Sequence, residues 1–143
     1  MSKFYKIDSA GNQIPIESDG QRRKIVAISD DTTLTGEDSG SIFMLDAVGE
    51  AITLPAVASG LEFEFVCAVT TATSDWVITA PASVIYGSAE VAGAVVAASA
   101  ENTITLVVAK FLPGDHIKLV SDGTNYYVSG SVVTTVGVTF TDV

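Results

Sequence analysis

The sequence predicts an all-β fold, and three observations carry that expectation. β-branched and aromatic residues alternate with polar ones in short runs, and turn signals separate those runs about every eight to twelve residues. No window of about eleven residues sets Ala, Leu, Glu and Lys at helical spacing. Together these predict a single antiparallel β-sandwich or barrel-like body, of jelly-roll or β-tulip kind. It would hold roughly ten to twelve strands and at most one helical turn. The 143 residues suffice for one domain with a real core. An apolar content of 48% against 17% charged residues excludes disorder throughout.

The first residues are set apart by charge. Residues 1–24 hold five of the seven bases (Lys3, Lys6, Arg22, Arg23, Lys24), whereas the remainder holds only Lys110 and Lys118 against 14 acids. Ser9-Ala10-Gly11-Asn12 and Ser18-Asp19-Gly20 are turn clusters around short extended pieces. Two readings stand: an extended N-terminal arm over residues 1–29 that lies along another surface, or an ordinary first hairpin of the domain. On the arm reading, residues 30–143 form the body. Phe4–Ile7 and Gln13–Ile16 could then add to a neighbouring sheet edge, while Arg22, Arg23 and Lys24 meet acidic groups of a partner. Phe4, Tyr5, Arg22, Arg23 and Lys24 are the expected contact residues of the arm.

Along the body, Leu61-Glu62-Phe63-Glu64-Phe65 is the clearest strand, with three apolar side chains on one face and two carboxylates on the other. Asn102–Val108 alternates in the same way with Thr on the wet face. Asp115–Val120 turns Ile117 and Leu119 inward, His116 and Lys118 outward. Leu54-Pro55 ends a strand, Ser59-Gly60 starts the next, and Pro113-Gly114 separates two more. Asp122-Gly123 is the strongest hairpin signal, suited to a two-residue type I′ turn in which both residues take positive φ. Residues 89–100 are small, apolar and almost uncharged. They read either as a buried strand or crossover, or as an apolar surface that needs a partner chain. The second reading makes Val91, Ala94, Val95 and Val96 subunit-interface residues.

Composition also bounds the chemistry. A net charge of −10 opposes wholesale binding to nucleic acid or an anionic membrane. No secretory leader is expected after Met1–Lys6, and the apolar run Val91–Ala98 is too short to span a bilayer. With one cysteine, Cys67, no intrachain disulfide is expected, and its apolar strand makes it a core residue. The single histidine, His116, falls on an outward strand face, so no catalytic triad is expected. Asp30-Asp31 and Glu37-Asp38 lack the alternating ligand pattern of a calcium loop and read as solvated turn acids. No enzyme activity, metal or cofactor is therefore expected. Trp76, Tyr86, Tyr126 and Tyr127 can be imagined as a sugar-stacking platform, but adjacency puts only one of Tyr126 and Tyr127 outward.

Three stretches suggest a relationship: Thr32-Thr33-Leu34-Thr35-Gly36-Glu37-Asp38-Ser39-Gly40-Ser41-Ile42-Phe43, Ala51-Ile52-Thr53-Leu54-Pro55 and Gly60-Leu61-Glu62-Phe63-Glu64-Phe65. Trp76-Val77-Ile78-Thr79, Ile85-Tyr86-Gly87 and Gly114–Val128 continue it. The pattern resembles a β-rich module of tailed-bacteriophage structural proteins, found in capsid decoration (cement) proteins and in head and tail fibres. It covers about residues 30–130, and residues 1–29 carry no part of it. The resemblance, with the small size, implies a homotrimeric decoration protein on the outside of the virion, made in the bacterial cytoplasm. Its partners would be the major capsid protein and its own copies. The alternative is a fibre module that recognises a host-surface glycan.

Overall fold

Among the described residues, the alternation seen in the sequence becomes fourteen strands and one 3-10 turn. A computed structural model describes residues 5–7, 9–11, 13–15, 22–46, 48–70 and 72–143. Strands β1 (Tyr5–Ile7) and β2 (Gln13–Pro15) pair antiparallel in a two-stranded ladder of their own. The others are β3 (Ile25–Ile28), β4 (Thr32–Thr33), β5 (Ile42–Leu45), β6 (Ala51–Thr53), β7 (Ser59–Cys67), β8 (Trp76–Thr79), β9 (Ile85–Val91), β10 (Ala94–Glu101), β11 (Thr103–Leu106), β12 (His116–Asp122), β13 (Tyr126–Val132) and β14 (Val138–Thr141). They form a seven-stranded sheet in the order β10-β9-β13-β12-β7-β5-β3 and a five-stranded sheet in the order β14-β11-β8-β6-β4. The all-β sandwich is as the sequence predicts.

The topology is only half antiparallel. From β3 to β8 the chain alternates between the two sheets, and β3, β5 and β7 lie parallel in one while β4, β6 and β8 lie parallel in the other. A parallel neighbour needs a crossover, and here a strand of the facing sheet supplies it in place of a helix. The result is a short stack of coils. Equivalent positions align from coil to coil, Val26 with Phe43 and Phe65, and Ile28 with Leu45 and Cys67. From β9 onward the strands pair antiparallel, except that β13 and β9 run parallel. Each coil's inner row packs on the one above, so the core grows by repetition.

The core lies between the sheets. Phe43 stacks on Phe65 with ring centroids 5.4 Å apart, and Phe63 lies 6.4 Å from Tyr126. From the facing sheet come the buried Ile52, Ile78, Ile104 and Trp76, the last edge-on to Phe111 at 6.3 Å. Leu61, Phe63 and Phe65 are buried, and Ile117 and Leu119 are too, as alternation requires. Cys67 is buried in this core, as expected, with its thiol near the carbonyls of Val69 and Phe111.

Turn chemistry departs from expectation at two hairpins. Asp122 closes β12 and Gly123 follows it, but the loop runs on to Asn125, with Ser121 opposite Tyr126. Only Gly123 there has positive φ, at 94°. Asp122 instead keeps ordinary backbone angles and uses its side chain, accepting the amides of Thr124 and Asn125, both at 2.9 Å. The two-residue turn with positive φ at both positions lies at Ala92 (51°) and Gly93 (81°), between β9 and β10. Thus residues 89–100, whose alternatives were a buried segment or an exposed one, form most of a hairpin with both kinds of position.

Candidate interaction surfaces

The outward side of the seven-stranded sheet carries the charge. Lys118 on β12 lies opposite Glu64 on β7 and bonds Glu62 at 2.9 Å. That bond, with Arg23 nearby, holds the Glu62 carboxyl below the usual carboxylate range. Arg23 bonds Glu64 directly and lies 3.7 Å from Glu62. It also donates through Nε to the Gly40 carbonyl at 2.9 Å and through Nη2 to the Ser41 carbonyl at 3.3 Å. Arg23 is thereby committed to its own body as a clamp holding the entry to β3 against β5 and β7. This alters the expected arm. β3 is part of the main sheet, so the arm does not extend to residue 29; the clamp at Arg23 marks where the chain joins the body.

The remaining expected contact residues fall as follows. Phe4 lies outside the described residues, and Tyr5 is described only as backbone of β1, opposite Pro15. Arg22 and Lys24 are exposed, Lys24 at the head of β3. The four expected interface residues divide. Val91 is buried in the chain's own core, because its strand position points inward, and it is therefore unavailable to a partner. Val96 is half-buried. Ala94 is exposed, and Val95, at 75% exposure, is far more open than a core valine. Together Ala94 and Val95 begin β10, which ends the sheet with no neighbour beyond it among the described residues.

The opposite face of the sandwich is different in kind. Thr33, Thr53, Thr79, Thr103 and Thr141 stand in register, one on each strand of the five-stranded sheet. Beside this ladder run Ala51, Val77, Thr105 and Thr139, also in register. Neither row contains a charged residue. Thr103, expected on the wet face, is buried within its row. Cross-strand threonine pairs of this kind stabilise a sheet as well as finish its surface.

Aromatic placement splits the imagined platform. Trp76 and Tyr126 are core residues, and the Tyr126 hydroxyl donates to the Pro55 carbonyl at 2.8 Å. Burial pushes that phenol up to about 12. Tyr86 and Tyr127 do lie side by side, on adjacent parallel strands of the outer face. Tyr127 donates to Asp122 Oδ2 at 3.1 Å, so it braces the β12–β13 loop. His116 is half-buried on the same outer face, opposite Val66 and Ser131.

Acidic side chains act mainly as fasteners, a role not legible in the sequence. Asp115 is buried and accepts two amides, Leu112 at 2.8 Å and Val133 at 3.1 Å, joining two loops. Asp75 accepts the amide of Val108 and Asp31 that of Ala51. Asp38 accepts the amide of Thr35 at 2.8 Å at the start of the 3-10 turn. Among the described residues, no group of three or more His, Cys, Asp or Glu is placed to hold a metal ion, and no helix is long and apolar enough to cross a membrane. Comparison with known proteins returns no match: no family model, no curated protein and no solved structure.

Proposed function

We propose that this chain is a virion structural protein that decorates the outer surface of a tailed-phage capsid as a homotrimer. The observation that carries the reading is where the phage-like motif residues fall. Leu34 and Leu54 are core, Asp38 fastens the 3-10 turn, and Ser39 accepts the amide of Glu62 at 3.0 Å. The Gly40 amide donates to the Glu62 carbonyl at 2.8 Å, tying the turn to β7. The motif thus builds the stack of coils, and a motif spent on scaffolding suits a protein whose work is mechanical. Copies of such a body that bridge shell subunits stabilise the shell by linked binding.

The test is occupancy. Heads assembled without the protein, then mixed with purified chain, are expected to bind it at a fixed ratio to the major capsid protein and to resist heating better. Absence of binding would refute the decoration role. The adjacency of Tyr86 and Tyr127 favours a second reading, a fibre module that binds a host glycan. Burial of Trp76 and Tyr126 counts against it. On that reading Tyr127→Ala would abolish binding to host-surface polysaccharide, whereas the decoration role leaves head occupancy unchanged by it.

A further inference from the structure

We propose that β10 of one copy pairs with β3 of the next, so that the seven-stranded sheet continues head to tail until the copies close into a ring. The proposal rests on the homotrimer reading above and specifies its interface.

Four features of the two sheet edges point to it. First, among the described residues β10 and β3 are the terminal strands of the same sheet, each bonded on one side only. An unpaired row of amides and carbonyls is a template for another strand. β10 is also the longest terminal strand, eight residues against four in β3 and β14 and two in β4. Second, the usual protections are missing where they would matter. β10 has no Lys and no Pro, and its one irregularity, at Ala100 with φ of 62°, falls near its end. Third, both edges expose apolar side chains on the sheet's outer side: Val95 on β10 and Ile25, 59% exposed, on β3. Fourth, one pair of charges complements: Lys24 stands at the head of β3, whereas Glu101 ends β10.

Strand sense fixes how the two edges can meet. Following the pairings across the sheet, β3, β5, β7, β13 and β9 run one way while β12 and β10 run the other. Rotation about an axis along the strands preserves strand sense and keeps outer face continuous with outer face. It therefore brings β3 of the next copy antiparallel to β10, with Lys24 and Ile25 toward the Glu101 end and Ile28 toward the Val95 end. Such a heterologous contact uses two different patches and closes into a ring when the rotation permits. Closure leaves neither edge of this sheet open.

The test uses the full chain with one cysteine on each edge, at exposed outward positions. Ile25→Cys with Ala97→Cys, or with Ser99→Cys to allow for register, is oxidised and run on a non-reducing gel. The expected result is covalent species of two and three chains from the double variants and only single chains from each single variant. Within one chain the two positions occupy opposite edges of the sheet, and Cys67 is buried, so a link reports contact between copies. Light scattering is expected to give three chains for the parent protein and one for Val95→Lys, with circular dichroism showing that the variant folds. A trimer that Val95→Lys leaves intact and the double variants do not cross-link would overturn the edge pairing while leaving the homotrimer standing. Cross-linking by Ala97→Cys alone would overturn it in favour of β10 on β10. A parent protein that stays a single chain would overturn both the pairing and the homotrimer, and head occupancy would still decide the decoration role separately.

Discussion

Asp115 holds two loops with one carboxylate, and its loss would strand two amides. Removing a buried acceptor leaves each donor without a partner at a cost of about 1–3 kcal/mol. Asp115→Ala is therefore expected to lower the unfolding free energy by about 2–4 kcal/mol in urea titration. His116→Ala, on the outer face, is expected to change it by about half a kcal/mol or less. Cys67 gives a kinetic check: burial pushes its thiol up, so alkylation in native buffer is expected only at the rate of unfolding. Two carboxyls, the half-buried Glu62 and the exposed Asp122, set the acid response. Glu62, bonded to Lys118, and Asp122, bonded to the amides of Asn125 and Thr124, are both held below the usual carboxylate range. A carboxyl depressed by folding stabilises the protein above its unfolded pKa, and that contribution is lost as pH falls through the folded value. Glu50 works the other way. Partial burial and the neighbouring Asp31 and Asp30 raise it, so its favourable contribution is lost as pH rises. The melting temperature is expected to fall as pH drops below about 4, less steeply in Asp122→Asn, as a thermal scan across pH would show.

At the scale of the element, two strand junctions depend on single residues. Arg23 fixes the entry to β3 through two carbonyls and two carboxylates. Its head group is partly exposed, so the ion pairs are screened, and Arg23→Gln is expected to cost about 1–2 kcal/mol. Hydrogen exchange is expected to show that loss in β3 and β5 first. Gly87 has φ of 119°, and a Cβ there would lie 2.3 Å from the Val128 carbonyl oxygen. Strand β9 can approach β13 only because that position has no side chain. Gly87→Ala is expected to destabilise strongly, by more than about 3 kcal/mol, or to prevent folding. Neither residue announces this in sequence, since Arg23 looks like one member of a basic run.

For the whole molecule, the division between body and arm is the point with functional consequence. Because Arg23 and Lys24 adjoin β3, a cut intended to remove only the arm belongs before them. Deleting residues 1–21 is expected to leave the far-ultraviolet circular dichroism of the body and its cooperative melting in place. The same deletion is expected to reduce occupancy on heads strongly, as a co-sedimentation assay would measure. Equal occupancy would assign the shell contact to the body alone.

Strand alternation was plain in the sequence, and with it the inner residues of β7, β11 and β12, because a period of two assigns faces without knowledge of partners. The core role of Cys67 was legible for the same reason. Pairing partners were not. Nothing in Ile25–Ile28, Ile42–Leu45 and Ser59–Cys67 says that they stack parallel, since parallel order arises from crossovers that thread the opposite sheet. Residues 89–100 show the limit most clearly. Composition marked the run as unusual, but only the tertiary fold decided that Val91 turns into the core while Val95 stands open on a terminal strand. Likewise Asp115 and Asp122 look alike as acids near turns, and one became a buried tie between loops, the other an exposed loop cap. Periodicity is a local property carried by the chain itself, whereas the neighbour across a sheet and the loop across a core exist only once distant segments have met.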